Sequence, residues 1–226
     1  AGQKVLDIGC GWGGMAFEIA KQKKCEVTGI SLSENQINFC KNKAKELNLD
    51  NQVNFELCDY REVTKKFDKI VSVGFFEHTG KKFYKTFFKK INNIMKEDGI
   101  CLLHTIGSVD PPSPVQPWIQ RRIFPGGIVP SLSEMIKPIE QTGLIISDCE
   151  TLIHHYDKTL RAWLERFLKN KEKAKFLYDK EFVRMWEFYL ASCSSAFKFK
   201  DLVVYQLQLV KNFTASPSNS RNYIYQ

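Results

Sequence analysis

The chain lacks the pairs and runs that mark several large protein classes. Its seven cysteines, at 10, 25, 40, 58, 101, 149 and 193, form no Cys-x-x-Cys pair, so a zinc site is not expected. Their odd number suits reduced thiols in a cytosolic protein, several of them core residues, better than a disulfide framework. No stretch approaches the ~18 consecutive apolar residues of a transmembrane helix. No secretory leader is expected from its opening residues. No Met begins the chain: Ala1 stands three residues before the first apolar strand, and the chain is expected to be a piece without its natural N-terminus. Internal repeats are absent. The basic residues form no stripe interleaved with exposed aromatics, which argues against a nucleic-acid-binding module.

What is present bounds the answer. With 226 residues and 43% hydrophobic content, the chain can bury one large core or at most two small ones. Lys and Arg number 33 against 25 Asp and Glu, a net charge of +8. That balance suits an acidic partner such as nucleic acid or anionic lipid, although a lysine-rich composition alone supplies part of it.

The most informative stretch is Lys4-Val-Leu-Asp-Ile-Gly-Cys-Gly-Trp-Gly-Gly14. An apolar strand runs into a glycine turn, and a helix-like segment follows. Gly9, Gly11 and Gly13 carry no Cβ, so a ligand can approach backbone N–H groups at a helix N-terminus. The spacing Asp-x-Gly-x-Gly-x-Gly differs from that of a pyrophosphate-binding dehydrogenase loop. It resembles the first motif of class I S-adenosylmethionine (SAM) methyltransferases, whose ligand has a sulfonium and a carboxylate but no phosphate.

Apolar patterning predicts further strands over 25–30, 53–57, 68–73 and 99–106, with helices over 15–23 and 33–48, the latter capped by Ser33. An amphipathic helix is predicted over 81–96, with Tyr84, Phe87, Phe88, Ile91 and Met95 at helical spacing. Lys82, Lys85, Lys89 and Lys90 fill the rest of its circumference, as a solvated face or a membrane-facing one. Strands alternating with helices imply a doubly wound, mainly parallel α/β sheet with ligands at the C-terminal strand ends. A connection over 107–132, with six prolines, breaks the rhythm and is long enough to be functional. A helix over 133–141, a strand over 144–148, a helical insertion within 156–200 and a final strand over 201–210 complete a domain spanning 1–211. The polar tail 212–226 is expected to be loose.

Four segments narrow the class: Thr28-Gly-Ile-Ser-Leu-Ser-Glu-Asn-Gln36, Val73-Gly-Phe-Phe-Glu-His-Thr-Gly80, Leu102-Leu-His-Thr-Ile-Gly-Ser108 and His154-His-Tyr-Asp-Lys-Thr-Leu160. Together with Phe124-Pro-Gly-Gly-Ile-Val-Pro130 and Glu187-Phe-Tyr-Leu-Ala-Ser-Cys193, they resemble the cyclopropane-fatty-acid synthases, from Lys4 to about Leu209. The resemblance implies methyl transfer from SAM to the cis alkene of an unsaturated phospholipid acyl chain, then loss of a proton and ring closure. In that family a bound bicarbonate is the base. Carried over, its holders are Glu77, His104, the N–H of Ile106 and Tyr156. A family cysteine that helps to hold the anion lies upstream of this chain, so the chain alone is expected to be weakly active or inactive.

For SAM, Gly9 and Gly11 are expected to approach the methionine moiety, and Gly13 completes the turn. Asp7 would order the turn or reach the amine through water. Many class I methyltransferases have an acidic residue where this chain has Ser31, followed by Leu32. The resemblance gives the ribose contact to Gln36 instead. Tyr60 and Arg61 match the adenine-flanking pair, and Val73 is expected to line the adenine site. His78, His154 and His155 are read as structural. The implied setting is peripheral, on the inner face of the cytoplasmic membrane, with a homodimer as the candidate assembly. Alternatives are N-methylation of a small amine, where a Glu-His at the same strand end recurs without the His-Thr-Ile segment, and simple methylation or hydroxymethylation of the lipid.

Overall fold

The structure, a computed structural model, describes residues 2–217 and 220–224. Five parallel strands build its frame: β1 (Lys4–Ile8), β2 (Glu26–Ser31), β3 (Val53–Leu57), β4 (Phe67–Val73) and β5 (Met95–Ser108). Helices α1 (Gly14–Lys23), α2 (Glu34–Glu46) and α3 (Tyr84–Ile94) connect them. A short α4 (Pro117–Arg122) and α5 (Leu132–Glu140) precede β6 (Ile145–Leu152). Then come α6 (His155–Lys169), α7 (Lys171–Leu177), α8 (Lys180–Phe199) and β7 (Leu202–Val210). The strand order is β3-β2-β1-β4-β5-β7-β6, with β7 antiparallel to both neighbours. The doubly wound α/β expectation therefore describes the sheet.

Strand alternation sorts the core into two layers. Leu6, Ile8, Ile70 and Leu103 point to the side covered by α3 and α5, where Phe87, Phe88, Ile91 and Met135 are fully buried. Burying each such side chain stabilises the fold by roughly 1.5–3 kcal/mol. Val5, Val27 and Val71 point the other way, against Ala16, Phe17, Ile37 and Cys40 of α1 and α2. A third cluster joins Leu160, Tyr189, Leu190 and Phe197 of α6 and α8 to Val204 of β7.

Several sequence expectations need correction. The helix predicted over 81–96 starts with a 3-10 turn at Lys81–Phe83, and Met95 already belongs to β5. Ile94 takes the last buried helical position that the spacing had given to Met95. The 107–132 connection contains α4 and a short bridge, Ser108 to Ser131. The tail is anchored where it is described. Phe213–Ala215 form a 3-10 turn capped by Asn212. Arg221 pairs with Asp148 at 2.8 Å and Glu150 at 3.3 Å, and the Tyr223 hydroxyl donates to Gln208 Oε1. These acceptors lie on β6 and β7 and could not be foreseen from a polar composition; residues 218, 219, 225 and 226 lie outside the described part. Among the described residues no helix is long and apolar enough to cross a membrane.

Candidate active site

The glycine turn is fixed before any ligand arrives. The N–H groups of Gly9 and Cys10 both donate to the Ile30 carbonyl at 3.0 Å, tying the turn to the end of β2. Gly9, Gly11 and Gly13 have φ of 77°, 54° and 82°, the left-handed region where a side chain is strained. A Cβ on Gly9 would stand 2.7 Å from the Phe75 ring, whereas one on Gly11 would meet nothing within 4 Å. Gly11 thus leaves an open approach to the backbone. Beside it Asp7 is buried, and its Oδ2 has no hydrogen-bond partner. Burial pushes its carboxyl from an ordinary 3.8 up to about 7. A buried acid without a partner suits a cationic group, which would restore its charge.

A cleft of about 280 Å³ opens at these strand ends, lined by Gly9, Ser31, Leu32, Tyr60 and Arg61 among others. Gln36 stands at its edge, its Oε1 accepting from Ser31 Oγ at 2.8 Å. The Tyr60 ring is held edge-on by Phe75, centroids 5.6 Å apart, and packs on Phe87 at 5.5 Å. Arg61 turns back in a two-pronged bond to Asp59, at 3.0 and 2.7 Å. Val73 does not line the cleft. It shares the α1/α2 side of the sheet with Val71, because residues two apart on a strand face the same way. Phe75, His78 and Thr79 do line it. Phe75 and Thr79 stand in the Val73–Gly80 motif, where the sequence assigns them no role, and His78 is a lining residue rather than only a structural one. Their signal is their place just after a strand end, within that motif.

The second part of the site lies where β5 outruns β4. Val73 pairs with His104, after which β4 ends and β5 continues to Ser108. The overhang leaves the Ile106 N–H without a strand partner on that side. Glu77, in the 3-10 turn Phe76–His78, accepts from it at 2.7 Å. The donor that the family resemblance gave to an anion is therefore engaged by Glu77 in this structure. The other carboxylate oxygen, Oε2, is buried without a partner. Burial raises the Glu77 pKa, against the lowering effect of its backbone hydrogen bonds.

His104 accepts at Nδ1 from the side-chain amide of Gln206 at 3.1 Å. An amide nitrogen only donates, so the imidazole proton sits on Nε2. Burial lowers the His104 pKa and keeps the ring neutral. Gln206 faces His104 across the β5–β7 ladder; nothing in the alternation of the last strand singled it out. Tyr156, in the first turn of α6, packs on Phe197 at 5.0 Å. Burial raises its phenol pKa, and the charge of Glu77 adds to that shift, so carboxylate and phenol act on each other. Cys10 lies in the α1/α2 core, away from this group. A buried acid, an imidazole and a phenol thus stand on neighbouring elements at this end of the sheet, a set whose chemistry can hold a small ion with both a donor and acceptors.

A family model described as mycolic acid cyclopropane synthetase matches residues 1–207. The cyclopropane-fatty-acyl-phospholipid synthase of Escherichia coli K12 is 39% identical over 206 residues, covering 91% of this chain and 53% of the relative. A probable fatty acid methyltransferase of Pseudomonas putida is 36% identical over 221 residues, covering 94% and 56%. The chain spans about half the length of these curated relatives. Among solved structures, the cyclopropane synthase MmaA2 of Mycobacterium tuberculosis superposes with a TM-score of 0.85 at 28% identity, covering 92% of this chain and 78% of that one. CmaA1, a mycolic acid cyclopropane synthase solved with SAH and CTAB, gives the same score and identity over the same shares. With motifs, strand order and matched length in agreement, this chain belongs to the mycolic acid cyclopropane synthetase family.

Proposed function

We propose that the whole protein is a SAM-dependent cyclopropane-fatty-acyl-phospholipid synthase, acting on the cis double bond of an unsaturated acyl chain at a membrane surface. The observation that carries this reading is Glu77, buried at the overhanging end of β5, bonded to the Ile106 N–H and acting on the Tyr156 phenol, in the turn whose His78 lines the glycine-turn cleft. SAM supplies an electrophilic sulfonium methyl when bound. Asp7, with its unpartnered Oδ2, and the open approach over Gly11 fit its cationic amine and carboxylate. Tyr60 and the Ser31–Gln36 pair suit the nucleoside.

With SAM held there, the alkene would take the methyl carbon, the C–C bond forming as the S–C bond breaks. The positive charge would pass to the acyl chain, and one proton would have to leave the new methyl group for the ring to close. A strongly basic side chain next to a sulfonium would itself be methylated. Here Glu77 Oε1 already accepts from the Ile106 N–H and His104 Nδ1 from the Gln206 amide. Groups so engaged suit holding a base rather than being one. Bicarbonate fits them: it would supply a weak, exchangeable base. The unpartnered Glu77 Oε2 can take its hydroxyl proton, and His104 Nε2–H and the Tyr156 phenol can donate to its oxygens. Their fixed positions are what makes such donors effective, each commonly worth ~10²–10³ in rate.

The test uses the full-length protein with labelled SAM and unsaturated phospholipid vesicles, read by mass spectrometry. A gain of CH2 on the lipid is expected, and His104→Ala should lose it by a factor of ~10²–10³ while SAM still binds. Rate should fall in carbonate-stripped buffer and return on adding bicarbonate. A full rate without carbonate would make Glu77 the base. Methylation of a small amine with no lipid product would replace the reading altogether.

A further inference from the structure

At the outer end of the helical insertion, α7 stops in three successive large apolar residues. Phe176, Leu177 and Tyr178 are 89, 62 and 66% exposed. A run of this kind is unusual on a surface that has nothing to cover it. It is ringed by an excess of positive charge: from Lys169 to Lys180 the chain carries five lysines against two carboxylates, Glu172 and Asp179. Lys171 is drawn inward to Glu187 at 2.6 Å, and Lys175 lies 3.4 Å from the exposed Glu172. Lys169, Lys173 and Lys180 stand exposed beside the tip.

The tip is also joined to the cleft. The Tyr178 ring stacks on Phe182 at 4.2 Å, Phe182 on Trp186 at 5.7 Å, and Trp186 meets Tyr189 at 5.1 Å. Tyr189 meets Phe124 at 5.8 Å, and Phe124 meets His78, which lines the cleft, at 6.4 Å. An unbroken aromatic track thus runs from an exposed apolar point to the reacting end of the sheet.

We propose that the α7–α8 turn, led by Phe176 and Leu177, inserts into the boundary between headgroups and acyl chains of an anionic phospholipid membrane. The surrounding lysines would engage the headgroups. The proposal rests on the lipid reading above and adds the surface that meets the lipid. A seven-residue helix is far too short to span a bilayer, but an apolar tip with a basic collar has the two-part chemistry of an interfacial anchor. The lysine stems extend along the tip and carry their charged ends up to the phosphates.

Sedimentation with vesicles of phosphatidylglycerol and phosphatidylcholine tests this on the chain itself. The double variant Phe176→Ser, Leu177→Ser should bind about ten-fold or more weakly, since each side chain loses the transfer of its apolar surface out of water. Its circular dichroism and its affinity for S-adenosylhomocysteine should match wild type. A second variant, Lys85→Gln with Lys89→Gln on α3, should bind vesicles nearly as wild type does. If the tip variant binds unchanged, or only the α3 variant loses binding, the proposal is overturned. It is overturned too if sedimentation velocity without lipid shows a wild-type dimer and a monomeric tip variant, because the tip would then be an interface between copies. Full-length protein separates this from the enzymatic reading. Tip-dependent vesicle binding without any lipid product defeats the synthase reading and leaves the anchor standing. Equal turnover of detergent-dispersed lipid by both forms, with vesicle turnover lost only in the variant, supports both.

Discussion

Asp7 and Gln206 are both single polar side chains whose environments dictate measurable behaviour. Burial raises Asp7 from 3.8 to about 7, so the folded chain keeps a proton that the unfolded chain gives up. Below about pH 4 both states are protonated. Between there and about 7 only the unfolded state ionises, and stability falls as pH rises, by on the order of 4 kcal/mol in total. Asp7→Asn should flatten this slope in calorimetric scans of the ligand-free chain and also weaken S-adenosylhomocysteine binding. An unchanged slope would mean that Asp7 is ionised in the fold. Gln206 sets the His104 tautomer through one bond. A carboxylate there would accept rather than donate and draw a proton onto Nδ1. Opposite Gln206 on β6, Glu150 is already paired with Arg221. In Gln206→Glu, nitrogen-15 shifts of His104 should therefore report imidazolium persisting to higher pH than in wild type, and cyclopropanation should fall. Asp7 could be seen in the sequence because it sits inside a motif. Gln206 could not: its partner is 102 residues away, and only the folded sheet brings them together.

At the level of elements, the overhang of β5 past β4 does what no single residue does, because it exposes the backbone donor that Glu77 takes. Gly107 lets Tyr205 and the Pro130 carbonyl close on that overhang. A Cβ there would lie 2.4 Å from the Tyr205 ring and 2.8 Å from the Pro130 carbonyl, and Tyr205 also ties the next residue by donating to the Ser108 carbonyl at 3.0 Å. Gly107→Ala should destabilise the chain by about 1–3 kcal/mol in urea titration, the usual cost of overpacking. In the full-length enzyme it should depress turnover more than SAM affinity, since the displaced donor faces Glu77 and not the glycine turn. An equal loss of both would place the damage elsewhere. The parallel strands and their helices could be read from the sequence because each is a local apolar run bounded by turn residues. The boundaries at Met95 and the anchoring of the tail could not. In both, the deciding partner is remote: β4 for Met95, and Asp148 with Glu150 for Arg221.

For the whole molecule, a net charge of +8 and an apolar tip imply two separable contributions to membrane binding. Charge attraction weakens as salt shortens the screening length, which is about 8 Å at physiological ionic strength, whereas apolar insertion does not. Vesicle affinity should therefore fall with salt to a plateau in the wild type and to nearly nothing in the tip variant; a wild type without a plateau would leave charge as the only recruiter. The placing of β7 between β5 and β6 has a further consequence, in time rather than space. The last strand of the sheet lies in its interior, and it supplies the side chain that orients His104. During synthesis the glycine turn and the first five strands leave the ribosome early, yet the reacting end cannot be assembled until β7 has entered a gap that must stay open for it. Pairings so distant along the chain form slowly. A nascent chain can therefore form its glycine-turn cleft well before His104 has its partner, and a product cut short before Leu202 would have the first without the second.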